Sequence, residues 1–442
     1  MSPRLLLRFK LGAMMFFQYA VWGAWTPIIG ATLTSRMHAT GAQVGAVYGV
    51  LWLACIITPF IGGQIVDRLM PSQLYLGLAG IVCAVSAYMM STQHSIGSLF
   101  SGGLITWMWV WSIAFAPTIG IANSIAMYHL SKEGTDSEVQ ERDFSLIRTA
   151  GTVGWIAASL VLTYYLLHKP PVPDGTWAPF EEMQVAAVFG VILTIVAFLL
   201  PNTPPSKVAK DPWAFTKAFR MFTTVPGFLV FMVISFLIST EFQFYYVFSA
   251  DFMEHGMGIK HQLVSLYKSI AQYAEILCLG LLTPLSLKYL GMRKTLAIGA
   301  LAWPLRYFIF AFYKVLPAPI VLASMSFHGI GFAFVFITSY IYIDRLAPRD
   351  IRGSAQSLFT LVTLGVGNYL GTLFSGQLKD HFTTFVPDPK NALLTIPGPV
   401  NWPLIFVVPA ILTTVCGLAY LVTFREPKAE SYAEEAPEIA TA

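Results

Sequence analysis

Charge is what this 442-residue sequence has least of. Only 11% of its residues are Asp, Glu, Lys or Arg, against roughly 25% in a soluble domain, whose surface has to be solvated. Hydrophobic residues make up 56% and the mean hydropathy is +0.64, which excludes two or three ordinary water-soluble domains. Cysteine is scarce as well. Cys55, Cys83, Cys278 and Cys416 all fall inside apolar runs, so neither a disulfide framework nor a Cys-x-x-Cys metal site is expected, and they read as small buried hydrophobes. There is no Gly-x-x-x-x-Gly-Lys-Ser/Thr run for ATP and no His-Glu-x-x-His. No polar stretch is long enough to house an enzyme. An all-α membrane protein is expected, without enzymatic activity, metal or cofactor, driven by an ion gradient or by its solute's own gradient.

What is present is a series of apolar runs. A span needs about 20 mainly apolar residues to cross a hydrocarbon core of about 30 Å. Such runs lie at 11–35, 41–66, 72–92, 97–127, 146–167 and 183–200, then at 226–250, 263–287, 294–313, 318–343, 353–381 and 402–424. Met1 to Lys10 is short and basic and leads into a run longer than a signal peptide's core, so it reads as a retained first span. The sequence therefore divides into a six-helix half over 1–200, a connector over 201–225, a second six-helix half over 226–425 and an acidic tail over 426–442. Pro201 to Arg220, with Pro204-Pro205, Lys207, Lys210, Asp211 and Lys217, is too polar to cross and reads as a linker without folded periodicity. The end, Glu426 to Ala442, reads as disordered and solvated.

Of the 27 basic residues, eighteen fall in segments on the N-terminal side of the spans and six on the other, with Arg148, Lys268 and Arg306 inside spans. Basic residues accumulate on the cytoplasmic side, which puts both termini in the cytoplasm. The net charge of +4 reflects this asymmetry and is no argument for nucleic acid. The halves echo each other: Gly63-Gln64-Ile65-Val66-Asp67-Arg68 follows the second span, and Leu287-Lys288-Tyr289-Leu290-Gly291-Met292-Arg293-Lys294 follows the eighth. Both resemble degenerate copies of the loop signature of major facilitator transporters, which implies twelve helices in two six-helix halves around a midplane site.

Ionisable residues inside spans cost roughly 2.5–3.5 kcal/mol on insertion scales and tend to be functional. The two acids well inside are Glu241 and Glu275. Gln272 and Glu275, three apart, share a helix face; a carboxylate and an amide there could bond sugar hydroxyls, and burial makes Glu275 a candidate for proton exchange. The alternative is a structural carboxylate paired with Arg306 or Lys268. Gln243 and Tyr246 share a face from which Glu241 points away; Glu241 reads as a structural contact or a second proton site. Arg148 and Thr152 open the fifth span with Trp155 on the same stripe. Gly151 and Gly154 would admit a close neighbour, although Arg148 could instead snorkel to the interface. Gln18 and Trp22, then Trp25, line one face of the first span. His328 and Phe332 share a face of the tenth, where His328 is either a proton-relay candidate or a packing histidine.

The runs Phe17-Gln18-Tyr19-Ala20-Val21-Trp22-Gly23-Ala24-Trp25, Ile147-Arg148-Thr149-Ala150-Gly151-Thr152-Val153-Gly154, Glu241-Phe242-Gln243, Gln272-Tyr273-Ala274-Glu275 and Ile351-Arg352-Gly353-Ser354-Ala355-Gln356 resemble the bacterial nucleoside:proton symporters of the major facilitator superfamily. The resemblance implies import of nucleosides on the proton gradient across the inner membrane, by a protein read here as a monomer whose partners are nucleoside, protons and lipid. It also implies that Arg148, Thr152, Gln243, Gln272 and Glu275 contact the nucleoside. The sequence departs from the family pattern at Trp155, at Tyr246 in place of Asn, and in the tenth span, where His328 and Phe332-Ala333 replace Tyr and Phe-Asp. Other cargoes of the same fold (sugars, sugar acids, drugs) and a membrane sensor that transports nothing are the alternatives.

Overall fold

Hydrocarbon offers no water to backbone groups, so a chain this apolar must satisfy them within helices. The computed structural model describes residues 2–134, 136–170, 178–205, 214–348, 351–389 and 391–424. The helices are α1 (Pro3–Gly23), α2 (Ile29–Met37), α3 (Gly41–Arg68), α4 (Ser72–Ser91), α5 (Leu104–Ser131), α6 (Ser137–His168), α7 (Glu181–Phe198) and α8 (Ala214–Thr224). They continue as α9 (Phe228–Gly256), α10 (His261–Ala311), α11 (Ala318–Leu346), α12 (Arg352–His381) and α13 (Trp402–Thr423). Ten helical stretches among the described residues are long and apolar enough to cross a bilayer. One of them, α10, is 51 residues long, about twice what a crossing needs. It is interrupted at Gly291, where φ is +76°, a conformation open to glycine, and so supplies two spans. The broken pair α1 and α2 supplies the remaining one, giving the twelve expected.

Several boundaries differ from expectation for identifiable reasons. The first span is not continuous over 11–35: it breaks after Gly23 and resumes at Ile29. Pro27 cannot donate to a helical ladder, and the Tyr48 hydroxyl donates to the Thr26 carbonyl at 2.6 Å, satisfying one of the groups exposed by the break. Residues 97–103 are loop rather than span, with positive φ at Gly97, Gly102 and Gly103. Helix α6 begins at Ser137, so Arg148 lies three turns in instead of opening the helix. The second part of the connector forms α8, with Ala218 and Met221 buried; residues 206–213 and the tail lie outside the described residues. The segment before α13 forms an antiparallel hairpin of β1 (Thr383–Asp388) and β2 (Asn391–Val400). Cys83, Cys278 and Cys416 are buried, Cys55 is partly so, and all four are free.

Packing divides the chain into two compact units. Among the described residues, the first contains 2–205, Phe244–Ser269 and Thr372–Val400; the second contains 214–243, Ile270–Gly371 and 401–424. In the first, α1 packs on α6 and α4 on α7. A β-carbon on Gly154 would collide with the Phe16 carbonyl, and one on Gly151 would sit 2.6 Å from the Tyr19 ring. In the second, the later limb of α10 packs along α13.

The end of the first unit that carries α2 and the start of α3 is held by polar contacts with α9 and α12. Lys379 and Asp251, each 2% exposed, form an ion pair, and His255 lies 2.6 Å from the same carboxylate. Lys379 also donates to Thr34 at 3.2 Å. Ser35 donates to Glu254, which His261 meets from the other side at 2.7 Å. Asp380 accepts the first N–H groups of α3, from Gly41 at 2.5 Å and Ala42 at 2.9 Å, where an anion also answers the helix dipole. At the opposite end Arg8 pairs with Glu133 at 2.9 Å and with Asp143.

Two outcomes follow for purified protein, read as melting temperature in detergent. Gly154→Ala forces α1 away from α6 and destabilises by about 1–3 kcal/mol, whereas Gly120→Ala, whose β-carbon meets nothing within 4 Å, does not lower the melting temperature. Lys379→Met strands a buried carboxylate and costs about 3–5 kcal/mol, and adding Asp251→Leu restores most of that loss.

Candidate functional site

In the first unit, the close approach of α1 to α6 builds a polar face rimmed with aromatics. A β-carbon on Gly23 would lie 2.8 Å from the backbone of Trp155, so the two helices touch where Trp22 and Trp155 project. These indoles meet edge to face at 5.3 Å, and Trp22 has the same relation to Trp52 and Phe115, each at 5.8 Å. One turn earlier on α1, Gln18 is 1% exposed and donates from Nε2 to the Thr118 hydroxyl at 2.6 Å. Among the described residues, Gln18 Oε1 and Trp22 Nε1 are buried without a hydrogen-bond partner. Buried polar atoms are rarely left so; one acceptor and one donor remain available on this face.

Thr152 is buried on α6 beside this rim. The half-buried Arg148 lays its guanidinium over the Tyr19 ring at 4.2 Å, a cation–π contact worth about 0.5–2 kcal/mol that fixes a long side chain next to α1. Tyr246 also belongs to the first unit. It meets Tyr245 edge-on at 5.3 Å, and Lys268 reaches over both rings, at 4.8 Å and 5.9 Å. Sequence reasoning gave Lys268 no role beyond a possible ion pair, because a cation's aromatic setting depends on which helices meet around it.

In the second unit the organising ring is Phe242. His328 stacks on it at 4.9 Å and Phe332 at 6.2 Å, while Trp303 and Phe336 approach edge-on at 5.6 Å and 5.4 Å. Arg306, fully buried, donates from Nη1 to His328 Nδ1 at 3.2 Å and lies 4.5 Å over the Tyr307 ring. The Tyr307 hydroxyl in turn donates to the Glu241 carbonyl at 3.4 Å. Gln243 and Glu241 are fully buried, Gln272 is 6% exposed and Glu275 is half-buried. A β-carbon on Gly329 would run into the backbone nitrogen of Glu275, so α11 is seated directly against the turn that bears Glu275, one residue from His328.

Ala333, where the resemblance implies an acid, is fully buried in an apolar cluster with Cys278 and Phe334. Nothing in that cluster replaces the missing carboxylate. Phe242, Trp303 and Tyr19 escaped the sequence reading because an aromatic in a span faces lipid or packs as readily as it lines a site. Among the described residues no group of three or more His, Cys, Asp or Glu could hold a metal ion.

The site residues thus form two groups. Gln18, Arg148, Thr152, Trp155 and Tyr246 lie in the first unit; Gln243, Gln272, Glu275, His328 and Phe332 lie in the second. The nucleoside H+ symporter family model matches residues 5–429. The nucleoside permease NupG of Escherichia coli (strain K12) is 26% identical over 432 residues, covering 95% of this chain and 96% of that protein. The xanthosine permease of the same organism is 28% identical over 388 residues, covering 85% and 88%. The crystal structure of NupG superposes with a TM-score of 0.78 at 25% identity, over 95% of this chain and 100% of that one. The D-xylose-proton symporter, at 14% identity and a TM-score of 0.68 over 96% and 98%, shares the fold alone. A multi-pass transporter that moves nucleosides with protons, the chain belongs to the nucleoside H+ symporter family.

Proposed function

We propose that the protein imports nucleosides across a bacterial cytoplasmic membrane, as a monomer with both termini in the cytoplasm, using the proton gradient and no cofactor. The orientation rests on the excess of basic residues on the side of the termini. The observation that most supports the solute assignment is the unspent hydrogen-bonding capacity of Gln18 and Trp22 beside the Trp155 indole. A nucleoside presents an aromatic base rimmed with donors and acceptors on a polar sugar, and this face offers it a stacking surface, an acceptor and a donor.

In this reading Gln272 and Glu275, on one face of α10, bond the ribose hydroxyls. Gln243 reads the edge of the base, which stacks near Trp155 or Phe332. Thr152, Tyr246 and Arg148, the last held over Tyr19, offer contacts to the solute from the first unit, and His328 offers one from the second. Glu275 carries the proton: a half-buried carboxylate is neutralised by protonation, and the loaded carrier then meets a smaller electrostatic barrier to reorientation.

Labelled uridine and adenosine, offered to bacteria that lack nucleoside carriers of their own, are expected to accumulate and to leak out when a protonophore is added. Absence of uptake by cells whose membranes contain the protein would refute the solute assignment. Gln18→Ala removes a buried hydrogen-bonding partner, worth about 1–3 kcal/mol; the KM for uptake is expected to rise roughly 5- to 150-fold, and the melting temperature to fall as well because the bond to Thr118 is lost. Glu275→Gln is expected to abolish accumulation against a gradient, and a variant that still concentrates nucleoside would remove Glu275 as the proton carrier.

A further inference from the structure

The second unit holds a set of buried ionisable groups of which solute binding accounts for His328 alone. Glu241 on α9, Arg306 and Tyr307 on α10, and His328 on α11 are all fully buried. They form a chain of contacts: Arg306 Nη1 to His328 Nδ1 at 3.2 Å, Arg306 over the Tyr307 ring, and the Tyr307 hydroxyl to the carbonyl of Glu241. Both carboxylate oxygens of Glu241 are buried, and the Tyr307 hydroxyl is the hydrogen-bonding group beside them. The titratable or charged groups that face it are Arg306 and Tyr307 from α10 and Cys416 from α13. Of these only Arg306 carries a fixed charge.

Two properties of the side chains decide what this set can do. A guanidinium does not lose its proton and has no acceptor atom, so a fully buried Arg306 needs an anion nearby whatever the pH. Because Arg306 can only donate, the His328 nitrogen facing it must present a lone pair, which leaves the imidazole neutral with its proton on Nε2. The acids well inside spans of this unit are Glu241 and Glu275, and the backbone of Glu275 rests on Gly329, the residue after His328.

We propose that Glu241 and Arg306 form a second centre for the same coupled proton, which Glu241 holds while Glu275 is ionised, with His328 as the neutral partner that holds the guanidinium between the two carboxylates. The inference rests on the nucleoside reading given above and adds to it. When a proton binds a Glu241 carboxylate oxygen, the acid becomes neutral and Arg306 loses its counter-charge. The remaining in-span carboxylate of the unit is Glu275. Displacement of the guanidinium toward it restores neutrality, frees His328 Nδ1 and carries the protonation state of Glu241 to the solute-binding turn. Arg306 is thus a positioning residue, and the only bond made or broken is that of the bound proton.

The test uses full-length protein in proteoliposomes, with labelled uridine counterflow measured beside accumulation driven by a gradient of one pH unit. One coupled proton is worth about tenfold accumulation under that gradient. Wild-type protein without counterflow would overturn the nucleoside reading and the inference together. With wild-type counterflow in hand, Glu241→Gln is expected to keep counterflow, lose its dependence on pH, and reach an accumulation ratio of about one. A Glu241→Gln variant that still accumulates about tenfold with an unchanged pH profile overturns the inference alone. Because Arg306→Gln strands a buried carboxylate and can prevent folding, the neutral double variant Glu241→Gln with Arg306→Gln provides the second measurement. Coupling predicts a folded protein that exchanges uridine without accumulating it; a purely structural ion pair predicts that the double variant recovers both stability and accumulation.

Discussion

A charge placed in hydrocarbon has to be answered by the protein, because lipid tails cannot solvate it, and this constraint organises both units. With 11% charged residues in the whole chain, the spans can hold few ions, and those they hold are surrounded by specific partners. Lys379 sits between Asp251 and the Thr34 hydroxyl, Lys268 over two tyrosine rings, and Arg306 against an imidazole and a phenol. In each case at least one partner comes from a different helix, so the charge pins neighbouring segments while it is being solvated. Solvation of ions and assembly of the helices are therefore one problem here.

The second requirement is close approach, since side-chain partners reach a buried ion only if backbones are near. Small residues provide it where apolar surface alone offers no preference between lipid and a neighbouring helix. Gly154 brings α6 onto the Phe16 carbonyl, which places Trp155 against Trp22 and Arg148 over Tyr19. Gly329 does the same for α11 on α10 and brings His328 beside the turn that carries Glu275. The polar groups in each unit are set by these glycines as much as by their own positions in sequence.

This explains what could be read in advance. The spans were legible because a run of about 20 apolar residues has few other uses, and Gln18, Arg148, Gln272 and Glu275 stood out because polar side chains in such runs need a reason. The glycines of α6 were legible as a surface for a neighbour, but the neighbour was not. Partner choice was the missing information: no spacing along α10 says that Arg306 meets His328 or that Lys268 lies over Tyr245 and Tyr246. Local breaks were missed where a single residue decides them. Pro27 divides the first span, and Gly291 was legible as a turn only because basic residues flank it. The hairpin 383–400 and α8 were hidden because neither is apolar enough to resemble a span nor polar enough to resemble anything but a loop.

The cargo sharpens the role of the buried ions. Uridine and adenosine are uncharged at neutral pH, so such a solute brings no counter-ion into the membrane, and whatever charge the transported proton adds must be accommodated by the protein. In most of this fold's polar face that is impossible, since amides, hydroxyls and indoles do not change charge. Ala333 removes the position where the family resemblance implies an acid, and it is sealed in an apolar cluster with Cys278 and Phe334. The in-span carboxylates that remain near the site are Glu275 and Glu241, and the fixed cation beside Glu241 is Arg306. A carboxylate with a permanent cation beside it can record a proton as a change in local charge balance, which an isolated carboxylate in lipid cannot do without paying for its own desolvation. Glu241, Arg306 and His328 bring a titratable acid, a permanent cation and an imidazole into one buried cluster. In this chain that cluster lies one residue from the glycine on which the turn bearing Glu275 is seated.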